Sequence, residues 1–280
     1  MDVAFLKLQA SANDYICLDM GKSPSPEAAL LPQLARKICN RRRGVGAMGM
    51  IVMERASDER ITVRIFSAQG EEAEECGAAL QCAARYAFDT GLVTAKEFVM
   101  YQGRQSVRLE IIDSVNIRQD MGPPLALGGD EELKERPDAI FARPVIVDNH
   151  EYSCTPVVLD SPQAVLFVTG FGGPLQHLAR TIEQAPLFPD GAGSVVFVRL
   201  FSREELQVRA YKKNEHELHA CPRVAAASLV AAALNGFTER EALVHLRGGD
   251  LFVEWDETAN HVFFTGPAEY VFSGSFYFEE

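Results

Sequence analysis

One pattern of apolar and polar segments occurs twice along the chain. Each copy opens on a β-rich run, ITVRIF at 61–66 and LQVRAY at 206–211, in which branched and aromatic residues dominate. A polar loop follows, then a cysteine, then an Ala-rich segment ended by glycine. Alanine is the best helix former, and glycine suits the left-handed position just past a helix C-terminus, so each Ala-rich segment predicts a helix. Residues 63–91 lie over 208–236 without a gap, Val63 falling on Val208, Arg64 on Arg209, Glu72 on Glu217, Cys76 on Cys221, Ala87 on Ala232 and Gly91 on Gly236. The repeated order of strand, loop, cysteine, helix and glycine predicts two related halves. Pro- and Gly-rich stretches at 121–129 and 170–174 predict a linker and a loop. Gly, Pro or charge interrupts every apolar stretch well before the ~20 residues of a membrane-spanning helix.

Composition narrows the class of protein. A chain of 280 residues suits one large domain or two ordinary ones, and 47% apolar with 24% charged residues predicts a globular protein with a real core. Lys plus Arg is 27 against 39 for Asp plus Glu, a net charge of -12, which argues against a general nucleic-acid binder or a partner for anionic membranes. The opening MDVAFLKLQA lacks the basic start, apolar run and cleavage site of a secretory signal, so a cytoplasmic location is expected. Thiols there stay mostly reduced.

The six cysteines form no CxxC pair and have no histidine at zinc-ligand spacing, so no metal site is expected. His216 and His219 flank Glu217 without enough further ligands to change that. Cys17, Cys39, Cys82 and Cys154 read as small buried apolar residues. Cys76 and Cys221 differ, because each sits at or just before a predicted helix N-terminus, where unpaired backbone N–H groups and the helix dipole lower a thiol pKa and attract an anion. Two such thiols in duplicated halves suggest one site on the axis relating them, where one thiolate removes a proton from a carbon and the other thiol returns one from behind. The plainer reading is two cysteines that merely pack. Arg41, Arg42 and Arg43 before GVGAMG read as a charge cluster after a helix, since GVGAMG lacks the spacing of a dinucleotide or phosphate loop.

The chain resembles the diaminopimelate epimerase family in an ordered series of motifs along nearly its whole length. SANDYICLD (11–19) is similar to the family's GNDF opening, ARKICNRRRGVGAMG (35–49) to its R-x-x-x-x-x-G-x-G-A-D-G stretch, and IFSAQGEEAEECGAALQCAARY (65–86) to F-N-A-D-G-S-E-x-x-x-C-G-N-G-x-R-C-x-A-R-Y. QDMGPP (119–124), HAC (219–221), RGGDLFVEW (247–255) and HVFFTGPAEYVFSG (261–274) follow in family order. The resemblance implies an α/β (α+β) fold of two pseudo-symmetric halves, each a β-sheet or barrel wrapped around a central helix. The halves expected are 1–119 plus about 266–280, carrying Cys76, and 120–265, carrying Cys221. It further implies a small amino-acid substrate inverted without pyridoxal phosphate or any other cofactor, LL- to meso-diaminopimelate in lysine and peptidoglycan synthesis. Cys76 and Cys221 would be catalytic, and a homodimer would form through the segment around Tyr270.

Departures from the family pattern concentrate where substrate is bound. Asn13, Gly77 and Glu217 are kept, but the Asn-Gly after Cys76-Gly77 is Ala78-Ala79 and the Gly-Thr-Gly after Cys221 is Pro222-Arg223-Val224. Proline lacks an N–H, so one carboxylate donor is lost, and Arg223 either replaces it or fills the pocket. The family's Asn in F-N-A-D-G is Ser67, its G-N-P-H is Asp160-Ser161-Pro162-Gln163, the Asn opening a later strand is Ser194, and its Glu-Arg pair is Lys212-Lys213. Shorter polar arms and a reversed charge at these substrate-binding positions favour an amino acid other than diaminopimelate, Lys212 and Lys213 suiting an extra carboxylate or phosphate. A one-sided isomerase of the same fold, or a non-catalytic paralogue that binds a small molecule, are the competing readings.

Overall fold

The computed structural model describes residues 1–21, 25–57, 60–73, 77–127, 132–133, 141–188, 191–212 and 217–279. In chain order the elements are β1 (Asp2–Ala10), β2 (Asn13–Asp19), α1 (Leu31–Ile38), β3 (Gly49–Ser57), β4 (Arg60–Ser67), β5 (Glu72–Ala73), α2 (Gly77–Asp89), β6 (Glu97–Gln102), β7 (Gln105–Ile111) and β8 (Asn116–Asp120). There follow β9 (Arg143–Val147), β10 (His150–Leu159), β11 (Ser161–Phe167), α3 (Leu175–Glu183), β12 (Ser194–Leu200), β13 (Glu205–Tyr211), β14 (Glu217–Leu218), α4 (Pro222–Leu234), β15 (Glu241–Leu246), β16 (Gly249–Trp255), β17 (Val262–Pro267) and β18 (Glu269–Tyr277). Backbone contacts gather them into two compact units, Met1–Gln119 with Gly266–Glu280, and Asp120–Thr265.

In the first unit β1 pairs antiparallel with both β18 and β2, as in Val3↔Phe276 and Lys7↔Ile16. β2 then runs parallel to β3 (Tyr15↔Gly49), β3 antiparallel to β4 (Gly49↔Ser67) and β4 parallel to β6 (Ile61↔Met100), with β7 and β8 continuing antiparallel. The second unit repeats the scheme. β10 pairs antiparallel with β9 and β11, β11 runs parallel to β12 (Gln163↔Ser194), β12 antiparallel to β13 (Val196↔Ala210) and β13 parallel to β15 (Leu206↔Val244), followed by antiparallel β16 and β17.

Strand alternation gives each sheet two apolar faces, since successive side chains point oppositely. In the first unit Tyr15, Cys17, Ile51 and Met53 pack with α2, whereas Ile16, Leu18, Met50 and Val52 pack with α1. In the second, Val165, Val196 and Val198 pack with α4, and Ala164, Leu166, Val195 and Phe197 with α3. α2 and α4 are the central helices, and α4 is buried from Val224 to Ala233. A helix enclosed on all sides needs small apolar residues all round rather than a stripe, which explains the run of alanines.

Three of the six identities between the halves have reasons in packing and backbone conformation. Val63 and Val208 lie in the two cores, and Ala87 and Ala232 are fully buried in the same two clusters. Gly91 and Gly236 adopt φ of 75° and 72°. Gly236 sits in a Schellman motif, its N–H donating to the Ala233 carbonyl and that of Phe237 to Ala232. Gly91 donates to Phe88, and the turn closes one residue later, with the Val93 N–H on Ala87. Arg64 and Arg209, and Glu72 and Glu217, have no such role in the cores, while Cys221 packs at the edge of its core.

Candidate functional site

In each unit the candidate residues gather where parallel strands begin and the central helix starts. In the first unit Asn13 opens β2, Gly49 opens β3 alongside, and Ser67 ends β4 opposite Gly49. Asn13 follows a tight turn in which Ser11 and Ala12 both have positive φ, 48° and 64°, a strained geometry for residues with a Cβ. The turn is held locally, by the Asn13 amide donating to the Ala10 and Ser11 carbonyls at 3.3 Å each and by the Ala12 N–H donating to Gln9 Oε1 at 3.0 Å. Ser67 Oγ accepts the N–H groups of Gln69 and Glu71, both at 3.2 Å, so this hydroxyl shapes the loop toward α2. The helix begins at Gly77, and the side chains of Ala78 and Ala79 turn into the core. Cys76 lies outside the described residues.

Beside Asn13, Asp14 ties the chain after α1 onto β2. Its carboxylate accepts Arg41 at 2.6 and 3.1 Å and the Met48 N–H at 3.0 Å, and stands 2.9 Å from Lys7 Nζ. Arg41 of the basic run is thus committed to Asp14, while Arg42 and Arg43 face solvent after α1. Burial alone would raise the Asp14 carboxyl, but hydrogen bonds from Arg41 and Lys7 outweigh it and hold the pKa below the usual value of 3.8. A depressed folded-state pKa contributes stability that is present above the unfolded value and lost as pH falls through the folded one. Asp14→Asn is therefore expected to lower stability by about 1–3 kcal/mol at pH 7. At about pH 3 the difference from the parent narrows, and urea denaturation at the two pH values measures both.

The second unit presents the matching positions with different chemistry. Ser161 opens β11 and Ser194 opens β12, with Gln163 paired to Ser194 in parallel register. Gln163 is 1% exposed, and its amide donates to the Ser161 carbonyl and to Ser161 Oγ at 3.0 Å each. Its Oε1 is buried and has no hydrogen-bond partner among the described residues. Val195 faces Tyr211, so continuing that register sets Lys212 opposite Ser194, as Ser67 stands opposite Gly49. Lys212 is exposed, and Lys213 lies outside the described residues.

Cys221 is the N-cap of α4, with an extended backbone (φ -145°, ψ 109°) and its carbonyl accepting the Ala225 N–H at 3.2 Å. Pro222 is the first helical residue, a position where the missing N–H does not harm the helix. The N–H groups of Arg223 and Val224 remain in the first turn. Among the described cysteines Cys221 alone is partly exposed. The others are buried, and burial pushes the Cys39 and Cys154 thiols up to about 12 and the Cys17 thiol up as well. Such thiols stay protonated at neutral pH.

Two candidate residues have partners that the sequence spacing did not show. Glu217 is bound within its own unit by the fork of Arg209, with Arg247 Nε a further 3.3 Å from Oε1. Arg223 is paired with Asp160 Oδ2 at 2.7 Å, so its guanidinium reaches the β10–β11 turn. Asp160 itself has φ 68°, where the family motif has glycine. The sequence marks Arg209 only as an identity with Arg64 and Arg247 only as the start of RGGDLFVEW, and the spacing of neither points to Glu217. No helix of the described residues is long and apolar enough to cross a membrane, and no three His, Cys, Asp or Glu among them gather as metal ligands would.

Comparison with known proteins follows these contours. The family model described as diaminopimelate epimerase matches residues 5–126. A diaminopimelate epimerase of Desulforapulum autotrophicum is 36% identical over 281 residues, covering 98% of this chain and 99% of its own. One from Moorella thermoacetica is 34% identical over 277 residues, covering 97% and 98% respectively. Among solved structures, a hydroxyproline epimerase from Agrobacterium vitis, with trans-4-hydroxy-L-proline bound, matches with a TM-score of 0.66 at 13% identity, covering 98% of this chain and 91% of that one. At that identity the likeness is one of fold, a mixed α/β architecture shared with epimerases and racemases.

Proposed function

We propose, from the premise that the chain belongs to the diaminopimelate epimerase family and is an isomerase of the epimerase and racemase kind, that it inverts the α-carbon of an amino acid by two-base proton transfer through Cys76 and Cys221. One cysteine, as thiolate, takes the α-proton, leaving a carbanion whose charge spreads into the carboxylate. The other, as thiol, gives its proton to the opposite face, so the thiols exchange protonation states and the carbon inverts. No redox change occurs. The observation that carries this reading is the duplication. Strand, short hairpin and 13-residue helix recur in both units, and in the sequence one cysteine immediately precedes each helix.

The proposed substrate differs from diaminopimelate in its distal group. Ser67, Ser161 and Ser194 are shorter than asparagine, and Ser67 Oγ is already engaged in its own turn. Gln163 and Lys212 replace the family's His and Glu helpers, and Lys212 brings positive charge where a distal ammonium would meet repulsion. The test is deuterium incorporation at the α-carbon in heavy water for LL- and meso-diaminopimelate, glutamate, aspartate and histidine, with the stereochemistry of the product determined. Inversion fastest on an amino acid other than diaminopimelate is expected. Fastest inversion of diaminopimelate overturns the substrate assignment, and exchange without inversion overturns the two-base mechanism.

A homodimer through β18 is part of the same proposal. Tyr270, Val271, Phe272 and Tyr277 are all exposed along this strand, an apolar run suited to a second copy. Sedimentation is expected to give twice 30.8 kDa for the parent and a monomer for Val271→Glu. A parent that sediments as a monomer at micromolar concentration would rule it out.

A further inference from the structure

We infer that two ion pairs, Arg64 with Glu72 and Arg209 with Glu217, are matched positioning clamps, each holding the segment that delivers one of the two thiols. This rests on the two-thiol reading above. Arg64 Nε and Nη2 donate to Glu72 Oε1 and Oε2 at 2.8 and 2.7 Å. Arg209 forks onto Glu217 in the same way, with Nη2 to Oε2 at 2.6 Å. Both are bidentate, the geometry that fixes direction as well as distance.

The local fold explains why a clamp is needed. β5 and β14 are only two residues long, with equivalent registers: Ile65↔Ala73 and Phe66↔Glu72 in one unit, Ala210↔Leu218 and Tyr211↔Glu217 in the other. Two paired residues cannot hold a strand in register unaided. In each unit the arginine is two residues from the one facing the glutamate, so the pair spans the hairpin diagonally on one face. The cysteine follows four residues after the glutamate, between that hairpin and the start of the helix. Each unit adds a third tie from a matching place. In the first, Gln102 Nε2 donates to the Ala73 carbonyl at 2.7 Å. In the second, Arg247 approaches Glu217, and the Gly248 N–H donates to the His219 carbonyl at 2.7 Å.

Neither pair belongs to an apolar core. Arg64 and Glu72 are 37% and 49% exposed, and exposed ion pairs contribute little to stability. Arg209 and Glu217 are 23% and 11% exposed, so removing one partner there costs more stability than in the first pair. A displacement of a reacting group by 1 Å, by contrast, can cost about 10²-fold in rate.

The test compares Glu72→Gln with Glu217→Gln in the full chain, using both stereoisomers of the amino acid that inverts in the exchange panel. Each variant is expected to lower kcat about 10–100-fold with KM changed less than about 3-fold. Glu72→Gln is expected to melt within about 3 °C of the parent, and Glu217→Gln, assayed below its melting point, to melt lower because the Glu217 carboxylate is less exposed. The decisive readout is the primary isotope effect of α-deuterated substrate on kcat/KM. A misplaced thiol makes its own proton transfer rate-limiting, so for one stereoisomer the effect rises in one variant and falls in the other, and the pattern reverses for the other stereoisomer. A residue that only supported the fold would not produce that opposition. The double variant Arg64→Glu with Glu72→Arg restores the more exposed ion pair and is expected to recover most of the kcat lost in Glu72→Gln, which keeps the clamps open to test if Glu217→Gln fails to fold. Isotope effects that stay unchanged, or move together, overturn the clamps. Inversion that survives in Cys76→Ala or Cys221→Ala, or no inversion of any amino acid in the panel, overturns instead the two-thiol reading on which they rest.

Discussion

Alanine at either Cys76 or Cys221 is expected to reduce inversion at the substrate α-carbon by about 10³-fold or more, while the chain melts as the parent does. In the proposed mechanism each thiol carries one of two proton transfers, and neither can serve for the other, because a single base returns the proton to the face it came from. The residual rate would belong to water acting in place of the missing group. Circular dichroism follows the loss of inversion, and proton resonance follows exchange at the α-carbon in heavy water. A single alanine variant that keeps a tenth of the parent rate would contradict the two-thiol mechanism. The remaining cysteines supply the control. Cys17, Cys82 and Cys154 are buried in the cores and burial raises the first and last thiols, so alanine there perturbs packing and leaves turnover per folded molecule unchanged.

Much of the fold was legible because it repeats. The two β-rich runs, the Ala-rich helices and the glycines that end them appear in the sequence at one fixed separation, and β4, β13, α2 and α4 stand where those runs lie. Strand direction was not legible: nothing in the sequence at Tyr15 or Gly49 says that β2 and β3 run parallel. β5 and β14 lay hidden in the polar loops because two residues are too few to show a period. At the site, the position of Cys221 before its helix could be read from alanine and proline placement, whereas the partners of Arg223 and Glu217 could not. Those partners are set by tertiary approach, Asp160 coming from a turn and Arg247 from the hairpin between β15 and β16, and no spacing rule connects such residues. The Arg64–Glu72 and Arg209–Glu217 pairs did leave a trace, as identities without a packing reason.

The largest loss of stability is expected from Trp255→Ala, about 3–5 kcal/mol. Trp255 ends β16 in the core that surrounds α4 and is 1% exposed. Its indole Nε1 donates to Asn260 Oδ1 at 3.0 Å, and the Arg240 guanidinium lies 4.1 Å from the ring centre. Alanine leaves a cavity under the central helix, removes the donor from an acceptor that is itself 8% exposed, and takes the ring from beneath the cation. Against a total stability of roughly 5–15 kcal/mol this is a large fraction, corresponding to a fall of roughly 6–20 °C in the thermal midpoint. Trp255→Phe keeps most of the buried area and loses chiefly the hydrogen bond, so a smaller loss of about 1–3 kcal/mol is expected. Thermal melts followed by far-ultraviolet circular dichroism distinguish these results, and a loss below about 1 kcal/mol for alanine would show that the core closes around the gap. The contrast with the cysteine variants is the stronger test. Trp255→Ala, assayed well below its melting point, should retain turnover per folded molecule, whereas Cys221→Ala should retain the melting point and lose the turnover.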